Sequence, residues 1–287
     1  MLSRRDFIQS SLAPLLVAPH LDIFRKKGFK IGACDWSLGK SADPTALMVA
    51  KQIGLSGVMV NMGSVKDDLH LRKTEVQDEY IRLSKETGVA ISSLAIGQLN
   101  DVPYKSDPRT EQWVWDSIDV AKRFRVPVIL LAFFVKNDLR NDEAGIKETI
   151  SRLKKVAPKA EKEGVILGLE TYLDAAGHKR IIDAVGSPNI KVYYDFRNTA
   201  DAGHDPIDEF RKLGKDLVCE LHMKENQFLL SKGSLDWQGI SNMIEEIGYR
   251  GDHWMQIEWS LPDKADLVSS YIQNKEFLRG HFATSTK

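Results

Sequence analysis

Four side chains able to hold a divalent cation or move a proton close four short apolar runs in the second half of this 287-residue chain. The runs read Leu167-Gly168-Leu169-Glu170, Val192-Tyr193-Tyr194-Asp195, Cys219-Glu220-Leu221-His222 and Met255-Gln256-Ile257-Glu258. Their last residues are 25, 27 and 36 positions apart, about one strand-plus-helix unit each. A charged group ending an apolar run is costly unless it is paired or bound to something. Three carboxylates brought together repel one another and cannot all stay ionised. A divalent cation among them removes the conflict, and oxygen donors with one imidazole suit Mn²⁺, Co²⁺, Mg²⁺ or Zn²⁺. The competing reading pairs the same groups with neighbours such as Arg197 and Lys224.

The elements that must position these groups follow one rhythm from residue 29 onward. Apolar, strand-like runs fall at 29–34, 57–61, 90–96, 126–134, 165–170, 190–195, 217–222 and 253–258. Amphipathic, helix-like stretches lie between and after them at 44–53, 75–87, 110–124, 141–163, 177–185, 205–213, 236–247 and 264–278. Asp43-Pro44 reads as an N-cap followed by proline at the first helical position. Gly54, Gly88, Gly164, Gly214 and Gly248 read as helix stops. Runs that are apolar throughout, such as Val128-Ile129-Leu130-Leu131, suit parallel strands covered by helices. Eight such units in this length predict an α/β fold, a closed (β/α)₈ TIM barrel over 28–287, with function at the C-terminal strand ends. An open doubly wound sheet is the alternative, but no Gly-x-Gly-x-x-Gly loop follows the first run.

Residues 1–27 predict something other than fold. Arg4-Arg5 precedes Phe7-Ile8 and a mild apolar stretch from Leu12 to Ala18, the pattern of a twin-arginine export signal and linker. A periplasmic or otherwise exported location follows, or a cytoplasmic one if the signal does not function. No run of 18 or more apolar residues is present to span a membrane. Forty basic residues balance forty acidic ones, which argues against nucleic acid as a partner. The two cysteines, Cys34 and Cys219, read as buried free thiols.

The chain resembles the xylose isomerase-like sugar isomerase and epimerase family, whose barrel superfamily also contains endonuclease IV. The resemblance covers roughly residues 29 to 280. It is carried by Gly168-Leu169-Glu170, Tyr194-Asp195, His222-Met223-Lys224-Glu225-Asn226, Gly233-Ser234-Leu235-Asp236-Trp237, and Ile247-Gly248-Tyr249-Arg250-Gly251 leading to Ile257-Glu258. It implies one metal ion on Glu170, Asp195, His222 and Glu258, with Glu170 and Glu258 also the acid–base pair. A cation on a substrate carbonyl and hydroxyl would acidify the carbon between them and stabilise the enediolate. Proton return to the same carbon epimerises; return to its neighbour isomerises. Asn198 stands three residues after Asp195, and Trp237 follows Asp236, where the endonuclease branch carries further histidines. That implies a single metal and counts against DNA repair. Ketose 3-epimerases are expected to carry a histidine soon after the strand-six aspartate and an arginine after the strand-seven histidine. Here Arg197, Asn198 and Lys224 occupy those regions, which leaves the sugar open.

Further substrate contacts are expected from Lys224, Arg197, Trp36 and His70. Lys224 shares the side of an extended segment with His222, and Trp36 offers a ring for a sugar face. Trp259 and Phe133 read as packing residues, and His204 and His253 as structural. Three functions compete. The first is a metal-dependent sugar isomerase or epimerase. The second is a dehydratase or 3-keto-glycoside-cleaving lyase or hydrolase with the same metal and glutamates. The third is a non-catalytic exported sugar-binding barrel. The partner in each case is a small carbohydrate, and analogy adds a homodimer.

Overall fold

The computed structural model describes residues 28–251 and 253–284; the twin-arginine segment lies outside the described residues. Eight parallel strands close into a barrel in chain order. They are β1 Lys30–Cys34, β2 Gly57–Asn61, β3 Ala90–Ile96, β4 Val128–Phe133, β5 Ile166–Thr171, β6 Ile190–Asp195, β7 Val218–Lys224 and β8 Trp254–Glu258. Around them run α1 Ala46–Ile53, α2 Thr74–Thr87, α3 Arg109–Phe124, α4 Glu143–Glu163, α5 Ala175–Val185, α6 Phe196–Asp201, α7 Pro206–Leu213, α8 Trp237–Glu246 and α9 Leu267–His281. The last strand pairs with the first in the register Lys30↔Trp254 to Ala33↔Ile257, which shuts the barrel. Among the described residues no helix is long and apolar enough to cross a membrane.

The strands are apolar on both faces because both are buried. The larger core lies between strands and helices. A smaller one fills the barrel, built from Cys34, Met59, Ala95, Val128, Leu130, Ala132, Tyr193 and Cys219. Beneath the C-terminal strand ends, polar side chains also reach into the barrel. Gln256 donates Nε2 to Ser92 Oγ at 2.7 Å, and Tyr193 donates its hydroxyl to Glu220 Oε2 at 3.1 Å. Gln256 presses on β1: a Cβ at Gly32 would stand 2.3 Å from Gln256 Oε1, so the bare backbone is needed there. Burial pushes the Glu220 carboxyl up to about 8 against the pull of its polar neighbours Ser93 and Tyr193. It is therefore mostly protonated at neutral pH and adds little negative charge under the site.

Three local differences from the sequence reading have physical causes. Helix α1 starts at Ala46 rather than at proline, because Asp43 Oδ1 accepts from the Thr45 N–H at 2.8 Å and closes a turn ahead of it. Strand β7 continues past His222, since Lys224 still pairs with Glu258 of β8. The short helix α6 begins directly after Asp195 and has no counterpart in the sequence reading. Its six residues are too few to show a helical period.

Candidate metal centre and cavity

All four expected ligands lie in the buried mouth of the barrel, Asp195 and Glu258 as the last residues of their strands and Glu170 and His222 one and two residues before the end of theirs, and local structure sets where their atoms point. Asp195 is also the N-cap of α6. Its Oδ1 accepts from the Asn198 N–H at 2.8 Å, and its Oδ2 has no hydrogen-bond partner. Capping by aspartate is ordinary; here it fixes one oxygen and turns the other inward. Glu258 is held the same way. Trp36, just past β1, donates its indole N–H to Glu258 Oε1 at 2.8 Å, and Oε2 makes no hydrogen bond of good geometry. Glu170 Oε1 accepts from Asn198 Nδ2 at 3.1 Å. The His222 ring sets Nδ1 toward these carboxylates and Nε2 3.3 Å from Cys34 Sγ.

One donor atom from each of Glu170, Asp195, His222 and Glu258 lies within 4.8 Å of all the others. From His222 Nδ1 the distances are 2.9 Å to Glu170 Oε1, 3.7 Å to Glu258 Oε2 and 3.8 Å to Asp195 Oδ2. Donors about 2.1 Å from a common ion stand roughly 3 to 4 Å apart, so this set fits one cation. Charge fits too. Lys224 Nζ stands 3.0 Å from Glu258 Oε2 and 3.6 Å from Asp195 Oδ2. With His222 neutral, as a ligand must be, three carboxylates against one ammonium leave two negative charges, which one divalent ion would neutralise. A second grouping, Cys34 with His222 and Glu258, is also close enough. Burial pushes the Cys34 thiol up to about 12 against the pull of His222, so it stays protonated and is a poor ligand.

The electrostatics follow from that crowding. Burial raises the Asp195 carboxyl to about 6; Lys224 opposes the rise, while the charges of Glu170 and Glu258 add to it. Burial also pushes Glu258 upward, but Lys224 and His222 outweigh it and hold the carboxyl below its usual range. Lys224 would lose affinity for its proton on burial, yet Glu258, Asp195 and Glu170 together raise it. Glu258 and Lys224 are therefore both charged at neutral pH.

Above the cluster is a cavity of about 270 Å³. Glu170, Glu258 and Lys224 reach into it, with aromatic walls from Trp36, Phe134, Tyr172 and Trp259 and amides from Asn61, Asn100 and Asn198. The expected substrate residues separate here. Trp36 and Lys224 line the cavity; Arg197 and His70 do not. Arg197 pairs with Asp201 at 2.6 Å and Glu225 at 3.6 Å and donates to Ser234 Oγ, instead of meeting Glu170 or Glu258. His70 donates Nε2 to the Ala42 carbonyl at 3.0 Å, with Nδ1 3.3 Å from Asp67. Phe133 packs in the core as expected, but Trp259 does not: it is half exposed and borders the cavity.

Sequence reasoning treated Asn198 only as a departure from relatives. It is the link between two charged residues, donating to Glu170 and accepting from Lys224 Nζ at 3.0 Å. The signal was available: an asparagine three residues after a helix-capping aspartate lies beside it. Asn198→Ala is expected to weaken divalent-cation binding about 10- to 100-fold, the usual effect of losing a group that orients ligands. An unchanged affinity in metal titration would make Asn198 a bystander. Glu225, within the segment His222–Asn226, has no role in the sequence reading. It accepts from the Leu235 N–H at 2.9 Å and Trp237 Nε1 at 3.0 Å, which ties the segment after β7 to the start of α8.

Comparison with known proteins places residues 47–281 in a match to the family described as Xylose isomerase-like TIM barrel. A 2-epi-5-epi-valiolone 7-phosphate 2-epimerase of Actinoplanes sp. is 24% identical over 197 residues, covering 68% of this chain and 72% of that protein. A D-psicose 3-epimerase of Enterocloster bolteae is 28% identical over 128 residues, covering 42% of this chain and 41% of that enzyme. Among solved structures, a D-psicose 3-epimerase with D-tagatose from Clostridium cellulolyticum H10 superposes with TM-score 0.74 at 17% identity, over 88% of this chain and 99% of its own.

Proposed function

The chain belongs to the Xylose isomerase-like TIM barrel family, and from that premise we propose that it is an isomerase or epimerase of a sugar or sugar derivative, with one divalent ion held by Glu170, Asp195, His222 and Glu258. One observation carries the reading: four buried donors converge at the floor of a sugar-sized cavity with two negative charges left over. The epimerase names of the curated relatives agree with it.

When bound, the ion supplies Lewis acidity to a carbonyl and the hydroxyl beside it, and so acidifies the carbon between them. The chain's residues do the rest. Glu258, kept ionised by Lys224 and His222, accepts the carbon-bound proton. Trp36 holds Oε1 of that glutamate and leaves Oε2 to face the substrate or the ion. Glu170, reaching the same cavity from β5, returns a proton. Lys224 pairs with Glu258 at 3.0 Å, donates to Asn198 Oδ1 and lines the cavity, where its ammonium can also meet a substrate oxygen. The aromatic walls cover the apolar C–H faces of a sugar ring and limit access of water.

The test is NMR in deuterated water on metal-loaded protein with a panel of ketoses and keto-glycosides. Deuterium is expected at the carbon beside the carbonyl, together with conversion to an epimer or isomer. Loss of water or of an aglycone would replace isomerisation by elimination. No exchange in any member would leave only a sugar-binding barrel. Export remains part of the proposal, resting on the Arg4-Arg5 pair, and would place the enzyme in the periplasm.

A further inference from the structure

A second cavity, about 810 Å³, shares one wall residue, Trp259, with the first. Its other walls include Asn226, Gln227, Leu261, Pro262 and Tyr271, from the segments after β7 and β8 and from α9. Small-molecule pockets run roughly 300–1,000 Å³, so the inner cavity suits one sugar ring and the outer one leaves room for more. Trp259 is fixed in an unusual pose. Its φ is +45°, a left-handed conformation rare for a bulky side chain. Its backbone N–H donates to Ser37 Oγ at 3.1 Å, and the residue is 50% exposed. Asn226 and Lys264, also on the outer wall, share the left-handed backbone with φ +54° and +57°. Backbone strain gathered at a ligand wall is a known mark of binding sites.

Charge narrows what could lie there. Lys224 is the one cation lining the inner cavity among the described residues, and Glu258 and Asn198 occupy it. Arg140, stacked over Tyr172, pairs with Asp138 at 2.6 Å, and Arg197 pairs with Asp201. In the outer cavity Lys264 stands 3.9 Å from Asp263. The cations at the inner cavity are thus held by carboxylates or amides, and Lys264 at the outer rim is 91% exposed, so neither cavity has a built phosphate site, whereas an indole and apolar side chains suit a neutral ring.

We propose that the substrate is a neutral glycoside whose reacting sugar, the ring that bears the carbonyl, lies in the inner cavity, with a second ring, joined through the glycosidic oxygen, against Trp259 in the outer one. This rests on the sugar-enzyme reading above. It is tested by calorimetric titration of the Mn²⁺-loaded full chain with methyl β-D-glucopyranoside, 4-nitrophenyl β-D-glucopyranoside and glucose 6-phosphate. The nitrophenyl glycoside is expected to bind about tenfold tighter than the methyl glycoside, the effect of one aromatic contact. The phosphate should bind no tighter than the methyl glycoside. Trp259→Ala should bring the ratio of the two glycosides near one, and Trp259→Phe should keep most of it. Leu261→Glu, checked for folding by thermal melting, should also lower the ratio. Equal affinities in the parent protein, a ratio that survives Trp259→Ala, preference for the phosphate, or no saturable glycoside binding would each overturn the inference. Glycoside preference without deuterium exchange would remove the proton-transfer reading alone; exchange without preference would remove this one alone.

Discussion

With glutamine at position 258, turnover is expected to fall by about two to four powers of ten while the protein stays folded. Glutamine keeps the shape of the side chain and can still accept from the Trp36 indole through its carbonyl oxygen. It then presents an amide to Lys224 and to the cation, where the carboxylate presented a charge. The fold should survive: the Lys224 ammonium loses its nearest carboxylate but keeps Asp195 at 3.6 Å and the Asn198 amide, and the repulsion that raises Asp195 eases. Glu170→Gln should behave alike. Steady-state kinetics and a thermal melt on each variant check both halves. Activity within tenfold of the parent in either variant would contradict the acid–base assignment.

Metal removal is expected to have the second large effect. Dialysis against excess chelator should abolish turnover, and Mn²⁺ or Co²⁺ should restore it. A readout independent of catalysis goes with this. A ligand bound at a hundred times its dissociation constant stabilises the folded state by about 2.7 kcal/mol. In a domain of this size its removal should lower the melting midpoint by about 5–10 °C. Full activity in excess chelator, or an unchanged midpoint with metal analysis empty before and after, would sink the metal claim.

The barrel was legible because its signal repeats. Eight apolar runs separated by capped amphipathic stretches leave few alternatives, and all eight strands fall where the periodicity put them. The four candidate ligands were legible because each lies at or within two residues of the C-terminal end of a strand, so chain position alone predicts which end of the barrel they occupy. Less was visible around them. Asn61, Asn100, Phe134 and Tyr172 line the cavity from the ends of strands or the turns after them, where no period marks a side chain's direction. Arg197 and Lys224 are both cations shortly after strand ends, yet only Lys224 reaches the cavity. The extra length of β7 carries Lys224 inward, and α6 leaves Arg197 beside Asp201 and Glu225. Neither feature could be read before the fold. Trp259 was misread because a large aromatic after an apolar strand ordinarily packs, and a left-handed backbone is invisible in sequence.

The indole that steadies Glu258 belongs to a residue 222 positions earlier, on the far side of the seam where the first strand meets the last. A growing chain can complete most of its staves and still have no working centre, because the two halves of that contact are made at opposite ends of synthesis. Such distant pairings are slow to form, since a long loop must close before they repay it. Anything that recognises the finished centre therefore acts as an inspector of the whole hoop, favouring molecules that have closed over those that have not.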